Sequence, residues 1–164
     1  MDAVHIPLSR GLFALVDPAD VDLVSRFKWY ASIPRHGSHY ALTHLPGSNA
    51  TIRMHKLLLP DASMIDHRNG NTLDNRRDNL RPCNAMQNSR NAKKPSTGLT
   101  SRFKGVHRCH VHSKPFRATI RLDGKNRHIG LFASEEDAAR AYDEAARQHY
   151  GEFARLNFHT EVPA

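Results

Sequence analysis

Apolar and polar positions along this chain predict two successive sets of elements. In the first half, 29–33, 40–45 and 50–53 read as strands, separated by turn residues at 34–37 and 46–49. Asp17-Pro18-Ala19-Asp20 predicts a helix start, with Asp17 as N-cap, Pro18 in the first turn and Asp20 near the positive pole. Val21, Val24 and Phe27 follow at helical spacing, and 54–59 predict a short helix stopped by Pro60. In the second half, 105–110, 116–122 and 126–132 predict three strands, the last two joined by the tight turn Asp123-Gly124. Ser134 then caps a helix whose first turn carries Glu135, Glu136 and Asp137. Ala138, Ala141, Tyr142 and Ala145 share one face of it, and Gly151 ends it. Small alanines let that helix lie close on a sheet, which gives a β-β-β-α unit. The fold class expected is α+β with antiparallel sheets.

Between the two sets, Lys93-Lys94-Pro95-Ser96-Thr97-Gly98-Leu99-Thr100 joins a basic pair, a helix-stopping proline and small polar residues. It predicts a first domain over 1–94, a linker over 95–100, a second domain over 101–158 and a tail over 159–164. Two domains suit a chain of 164 residues with 39% hydrophobic residues, too few for one large core.

Charge sharpens this division. The formal net charge is +8. Residues 68–94 carry seven basic side chains against two acidic, and 102–127 carry eight against one, whereas 128–164 are acidic, three against seven. Two basic stretches and an acidic backing element point to a partner that carries phosphates. The longest apolar run, 12–16, is far too short to span a bilayer, and no charged-then-apolar leader opens the chain. Cys83 and Cys109 form no CxxC pair, so no disulfide framework is expected and a cytoplasmic location is.

Candidate chemistry gathers in 64–91. A short strand, 64–67, delivers Asp66-His67 to the polar loop 68–75; a second strand, 80–83, follows, and then a helix from Ala85 capped reciprocally by Asn84 and Gln87. This order is expected to place Asp66, His67, Asn79 and Asn88 around one point. A neutral His67 can take a proton from water near pH 7. A hard cation such as Mg²⁺ prefers oxygen, which suits the Asp66 carboxylate and the Asn88 amide. The Asn79 oxygen is expected to accept from one ring nitrogen of His67 and so turn the other toward water. Each residue also has an ordinary alternative: seven of the ten asparagines lie in 69–91, where turns and caps account for many of them.

The stretches Met54-His55-Lys56-Leu57, Ile65-Asp66-His67-Arg68-Asn69-Gly70, Asp74-Asn75-Arg76-Arg77-Asp78-Asn79-Leu80-Arg81 and Gln87-Asn88-Ser89-Arg90-Asn91 resemble the HNH homing endonucleases of phages, in the variant with Asn as third letter. The resemblance implies a ββα-metal core over about 54–92. It implies His67 as general base, Asp66 and Asn88 as ligands of one Mg²⁺ or Mn²⁺, and Asn79 as the orienting residue. Phe103-Lys104-Gly105-Val106, Arg117-Ala118-Thr119-Ile120-Arg121, His128-Ile129-Gly130-Leu131-Phe132, Ala138-Ala139-Arg140-Ala141-Tyr142-Asp143 and Asn157-Phe158 resemble the ethylene-response-factor (APETALA-type) DNA-binding domain. That resemblance implies a three-stranded sheet entering the major groove, with a helix behind it. Strand alternation agrees, since Arg117, Thr119 and Arg121 point one way and Ala118 and Ile120 the other. Arg127 departs from the family, standing where an apolar residue usually faces the helix.

The activity expected is therefore site-preferring hydrolysis of DNA phosphodiester bonds, by nicking or double-strand cutting. Double-stranded DNA is the partner and no membrane is involved; the chain is expected as a monomer, with a homodimer as the alternative, in the host cytoplasm if phage-encoded. DNA contacts are expected from Arg68, Arg76, Arg77, Arg81 and Arg90 in the first basic stretch. In the second they are expected from Arg102, Lys104, His107, Arg108, Arg117, Thr119, Arg121, Asn126 and His128. The rival reading is a non-catalytic DNA-binding regulator with a decayed nuclease fold. A zinc site in His107-Arg108-Cys109-His110-Val111-His112 is disfavoured, because a strand sends His107 and Cys109 to one face and His110 and His112 to the other.

Overall fold

In the computed structural model, which describes residues 3–32, 38–94 and 100–158, the chain opens with a hairpin. Strands β1 (Val4–Pro7) and β2 (Phe13–Val16) pair antiparallel with Ile6 opposite Ala14. Ile6, Ala14 and Val16 turn inward to the core, while His5 and Phe13 meet edge to face on the outside. Asp17 precedes a single 3₁₀ turn, Pro18–Asp20, and the short α1 (Val21–Val24). It makes no side-chain cap there; its Oδ2 accepts from the backbone N–H of Arg77 at 2.7 Å instead. Phe27 lies beyond this helix, its ring edge-on to Trp29.

Three short strands follow, β3 (Tyr30–Ala31), β4 (Ala41–His44) and β5 (Thr51–Arg53), antiparallel in the order β3-β4-β5. The turn expected at 34–37 lies outside the described residues. α2 (Met54–Leu58) begins directly from β5 and buries Met54, His55 and Leu58. A fully buried side chain such as Met54 contributes about 1.5–3 kcal/mol. The antiparallel hairpin β6 (Ile65–His67) and β7 (Leu80–Pro82) leads to α3 (Ala85–Asn91).

The remaining elements form one antiparallel sheet and a helix: β8 (Val106–Arg108), β9 (Phe116–Leu122), β10 (Lys125–Phe132) and α4 (Glu135–Tyr150), with sheet order β10-β9-β8. Asp123 and Gly124 both take positive φ, 49° and 75°, as a two-residue hairpin turn matched to strand twist requires. Ser134 Oγ accepts from the Asp137 N–H at 3.0 Å, the expected cap. α4 packs on the sheet through Ala138, Ala139, Tyr142, Ala146 and Tyr150. Gly105 lies so close to Tyr142 that a Cβ there would stand 1.9 Å from its ring.

The register of β10 accounts for Arg127. His128 pairs with Thr119 and Gly130 with Ala118, so Ile129 is an extra residue, a bulge. The bulge rephases the strand and lets Ile129 join the core under α4. Arg127, opposite Ile120, stays exposed on an edge strand.

The chain divides into two compact units, Met1–Asn88 and Ser89–Ala164, and the division falls inside α3. Residues 95–99 of the expected linker and the expected tail, 159–164, lie outside the described residues. Among those described, no helix is long and apolar enough to cross a membrane.

Candidate active site

β6 and β7 set Asp66 directly opposite Arg81 and His67 opposite Leu80. Asp66 and Arg81, each 5% exposed, form a buried cross-strand ion pair: Nε and Nη2 both donate to Asp66 Oδ2, at 2.8 and 2.6 Å. Arg81 is therefore a structural partner of Asp66, placed away from the surface where a DNA phosphate contact was expected.

The loop between the strands is braced by its own polar side chains. Asp74 is its hub, accepting from Arg76 Nε at 2.8 Å, Arg76 Nη2 at 2.7 Å and Asn69 Nδ2 at 2.8 Å. The Arg76 guanidinium holds the Asp74 carboxyl below the usual range. Asn79 ties the two ends of the loop: its Oδ1 accepts from the Asn69 N–H at 3.0 Å, and its Nδ2 donates to the Asp74 carbonyl at 2.7 Å. The oxygen expected at the His67 ring is thus committed to the backbone. Asn75 stands at that ring, its Oδ1 3.4 Å from His67 Nε2. The loop is also stitched to β2. Leu15 N–H donates to the Leu73 carbonyl and Asn75 N–H to the Leu15 carbonyl, both at 2.8 Å, in a parallel bridge.

His67 is buried in a cluster of three rings. His55, from α2, meets it edge to face with centroids 5.1 Å apart, and Tyr40 lies edge-on to both at 5.7 and 6.3 Å. The Arg53 guanidinium covers the outer face of Tyr40 at 4.5 Å. Burial, with His67, Arg53 and Lys56 nearby, pushes His55 down to about 3, so it is a neutral imidazole at any ordinary pH. Burial also lowers His67, opposed by the Asn75 bond and by the Asp66 and Asp74 charges. Sequence reasoning gave no role to Tyr40, His55 or Asn75. His55 did stand in one of the stretches that carried the resemblance.

α3 supplies Asn88. The reciprocal cap predicted for it is present, with Gln87 N–H donating to Asn84 Oδ1 at 2.9 Å and Asn84 N–H to Gln87 Oε1 at 2.8 Å. Asn88 is exposed on the helix, and its backbone N–H donates to Asn84 O. No group of three or more His, Cys, Asp or Glu among the described residues has metal-binding geometry. Asp66, whose Oδ2 already accepts from Arg81, carries a carboxylate, and the exposed Asn88 carries an amide oxygen. Both are hard donors, the type suited to a divalent cation that keeps most of its shell as water or phosphate.

The other expected DNA contacts fall into two groups. Arg77 chelates Asp20 at 2.7 Å, Arg102 pairs with Glu136 at 3.0 Å, and Arg90 lies over the Tyr150 ring at 4.7 Å. Lys104 donates to carbonyls of 90 and 92. Arg68, His107, Arg108, Arg117, Arg121, Asn126 and His128 are exposed and Thr119 is half-buried. His107, Arg117, Thr119, Asn126 and His128, with Leu131, line a depression of about 470 Å³ on the sheet face opposite buried Ala118 and Ile120. In the zinc candidate, Cys109 donates to the Lys114 carbonyl at 3.5 Å.

Residues 58–90 match the HNH endonuclease family, a span that contains Asp66, His67, Asn79 and Asn88. A protein of Acanthamoeba polyphaga mimivirus described as an uncharacterized HNH endonuclease is 28% identical over 156 residues, covering 90% of this chain and 76% of that one. No solved structure matches the chain.

Proposed function

We propose that the chain is a divalent-metal-dependent DNA endonuclease in which His67 is the general base, Asp66 and Asn88 hold one Mg²⁺ or Mn²⁺, and the second unit reads the duplex. The observation that carries this reading is the Asp66-His67 pair on β6, with the imidazole buried, its pKa lowered, and Asn75 at Nε2, inside the segment that matches the HNH family.

Burial keeps His67 in its basic, uncharged form at neutral pH. With Asn75 Oδ1 accepting from Nε2–H, the Nδ1 lone pair is the one that takes a proton. Water gives up that proton as its oxygen attacks the phosphorus. The bond to the 3′-oxygen breaks, and that oxygen is protonated from solvent, leaving 5′-phosphate and 3′-hydroxyl ends. A bound divalent cation would stabilise the charge that builds on the phosphate and on the departing oxygen. Arg81 holds the Asp66 carboxylate in place, and Asn79 holds the loop that carries Asn75. Recognition is assigned to the exposed face of β9 and β10, where Arg117 and Arg121 have the reach and the charge for guanine edges or phosphates. In this reading the chain is a site-preferring nuclease of the homing type.

The test is nicking of supercoiled plasmid by the purified full chain with Mg²⁺, with Mn²⁺ and with EDTA. Metal-dependent nicking that His67→Ala abolishes supports the reading. Tight duplex binding without cleavage under any divalent ion replaces it with a DNA-binding regulator.

A further inference from the structure

Strand register lays out the outer face of the β8–β9–β10 sheet. His107, Arg117 and Leu131 stand in one cross-strand row, Thr119 and His128 in the next, and Arg121 and Asn126 in the third. Residues directly opposed across two strands share a face, with Cβ atoms about 4.5–5.5 Å apart. None of the strand residues of this sheet is acidic. On these rows every side chain but one carries a charged or hydrogen-bonding group, and the exception is Leu131.

The bulge at Ile129 is what turns Leu131 outward. Had the pairing run on unbroken from His128 and Thr119, Leu131 would stand opposite Phe116, which packs in the core with Ala138 and Ala139 of α4. The extra residue shifts the strand by one step, so Gly130 comes opposite Ala118 and Leu131 opposite Arg117. Ile129 stays with the core, while Leu131 is half-buried among polar neighbours and lines the depression of about 470 Å³. A solitary leucine on a surface is ordinary. This one is brought by a local irregularity into the basic face assigned to DNA, beside an arginine.

In the major groove thymine shows a 5-methyl group, cytosine an amino donor and both purines an N7 acceptor. Leucine has neither donor nor acceptor. Set against a cytosine amino group or a purine N7, it would leave that group without a partner; set against a thymine methyl, it takes apolar surface out of water on both sides. Arg117 is of the residue type that pairs with guanine O6 and N7. Two side chains as close as a cross-strand pair fall on neighbouring base pairs, which are stacked about 3.4 Å apart. We propose that Leu131 is a specificity-determining residue that reads the 5-methyl group of a thymine next to the guanine read by Arg117. This rests on the assignment of duplex reading to the second unit, and it involves no residue of the first.

The experiment titrates the full chain, in EDTA at a fixed salt concentration, against the duplex it selects from a randomised pool. The same duplex is then tested with each thymine replaced in turn by deoxyuridine, which removes only the methyl group. Wild type is expected to bind about three- to fivefold more weakly when one particular thymine, neighbour to a guanine, is replaced. Leu131→Ala is expected to melt cooperatively, to bind the two duplexes equally well and to keep the wild-type salt slope. Leu131→Met should retain most of the preference. The proposal is overturned if no single replacement weakens wild-type binding, if the sensitive thymine has no guanine neighbour, or if Leu131→Ala keeps the wild-type difference. If Leu131→Ala does not melt cooperatively, Leu131→Gln is judged by the same criteria; failure of both to fold makes Leu131 a core residue and overturns the proposal. A pool that yields no preferred duplex is a different outcome, and it overturns the assignment of sequence reading itself.

Discussion

The rings of His55 and His67 meet edge to face, 5.1 Å between centroids, with His67 carried by β6 and His55 by α2. A protonated His55 at that distance would repel a proton on His67, and burial keeps His55 neutral. The proposed base therefore has one wall that is polarisable and uncharged, and on another side an amide oxygen from Asn75.

Replacing His67 with Ala should lower the nicking rate by about 10²–10⁴-fold while leaving duplex affinity nearly unchanged, because a general base acts only in the chemical step. Rate and affinity measured on the same preparation check this. A wild-type rate in the variant would remove His67 from the mechanism.

Asp66→Ala and Asn88→Ala should both raise the Mg²⁺ concentration needed for nicking, since both are assigned to one ion. Arg81→Met should act differently. It strands the Asp66 carboxylate in a buried site and should cost about 3–5 kcal/mol of stability. Urea melts compare the three variants: Asp66→Ala and Arg81→Met each break the buried pair and should shift the midpoint by that much, whereas Asn88→Ala, at an exposed position, should not.

His55 makes stability depend on pH. In the unfolded chain it titrates near 6.5, and in the folded protein at about 3, so below 6.5 the unfolded state binds the extra proton. Stability is full above about pH 6.5 and falls as the pH drops toward 3. At pH 5 the loss from His55 alone is about 2 kcal/mol. His67 is lowered too, so it adds to the loss in the same direction. Thermal melts from pH 8 to pH 5 should show the fall, and His55→Phe should flatten it.

Arg117→Ala and Arg121→Ala should each weaken specific duplex binding by about 1–3 kcal/mol if they pair with guanine edges. If they meet phosphates instead, affinity falls for all sequences and the salt slope becomes shallower by about one for each. Unchanged binding by the double variant on cognate and scrambled duplexes would place the DNA on another surface.

Local chemistry made much of this molecule legible from its residues. Ser134 capping α4, the Asn84–Gln87 reciprocal cap and the Asp123-Gly124 turn all act within four residues, and each appears where it was expected. What was not legible depended on long-range closure. Asn79 and Asn75 are chemically identical, and only the folded loop decides that Asn75 reaches the His67 ring while Asn79 braces the backbone. Asp17 has every local mark of an N-cap, yet its carboxylate serves Arg77, which is remote in the chain. Basic residues counted toward a DNA surface also included Arg81 and Lys104, whose partners are a carboxylate and two carbonyls inside the protein. The hairpin of β1 and β2 was not foreseen because each strand is only four residues long, too short for its alternation to stand out, and the cluster of Tyr40 and His55 because it joins residues remote in the chain.

The bridge between Leu15 and Asp74 also has a bearing on synthesis. β2 leaves the ribosome early and must wait for the loop that it completes, separated from it by about 60 residues of chain. Until those residues are made, the Leu15 carbonyl and N–H have only water as partners in this direction. The loop that carries Asn75 depends on this long closure for its final shape, so the candidate site rests on one of the least local pairings of its unit.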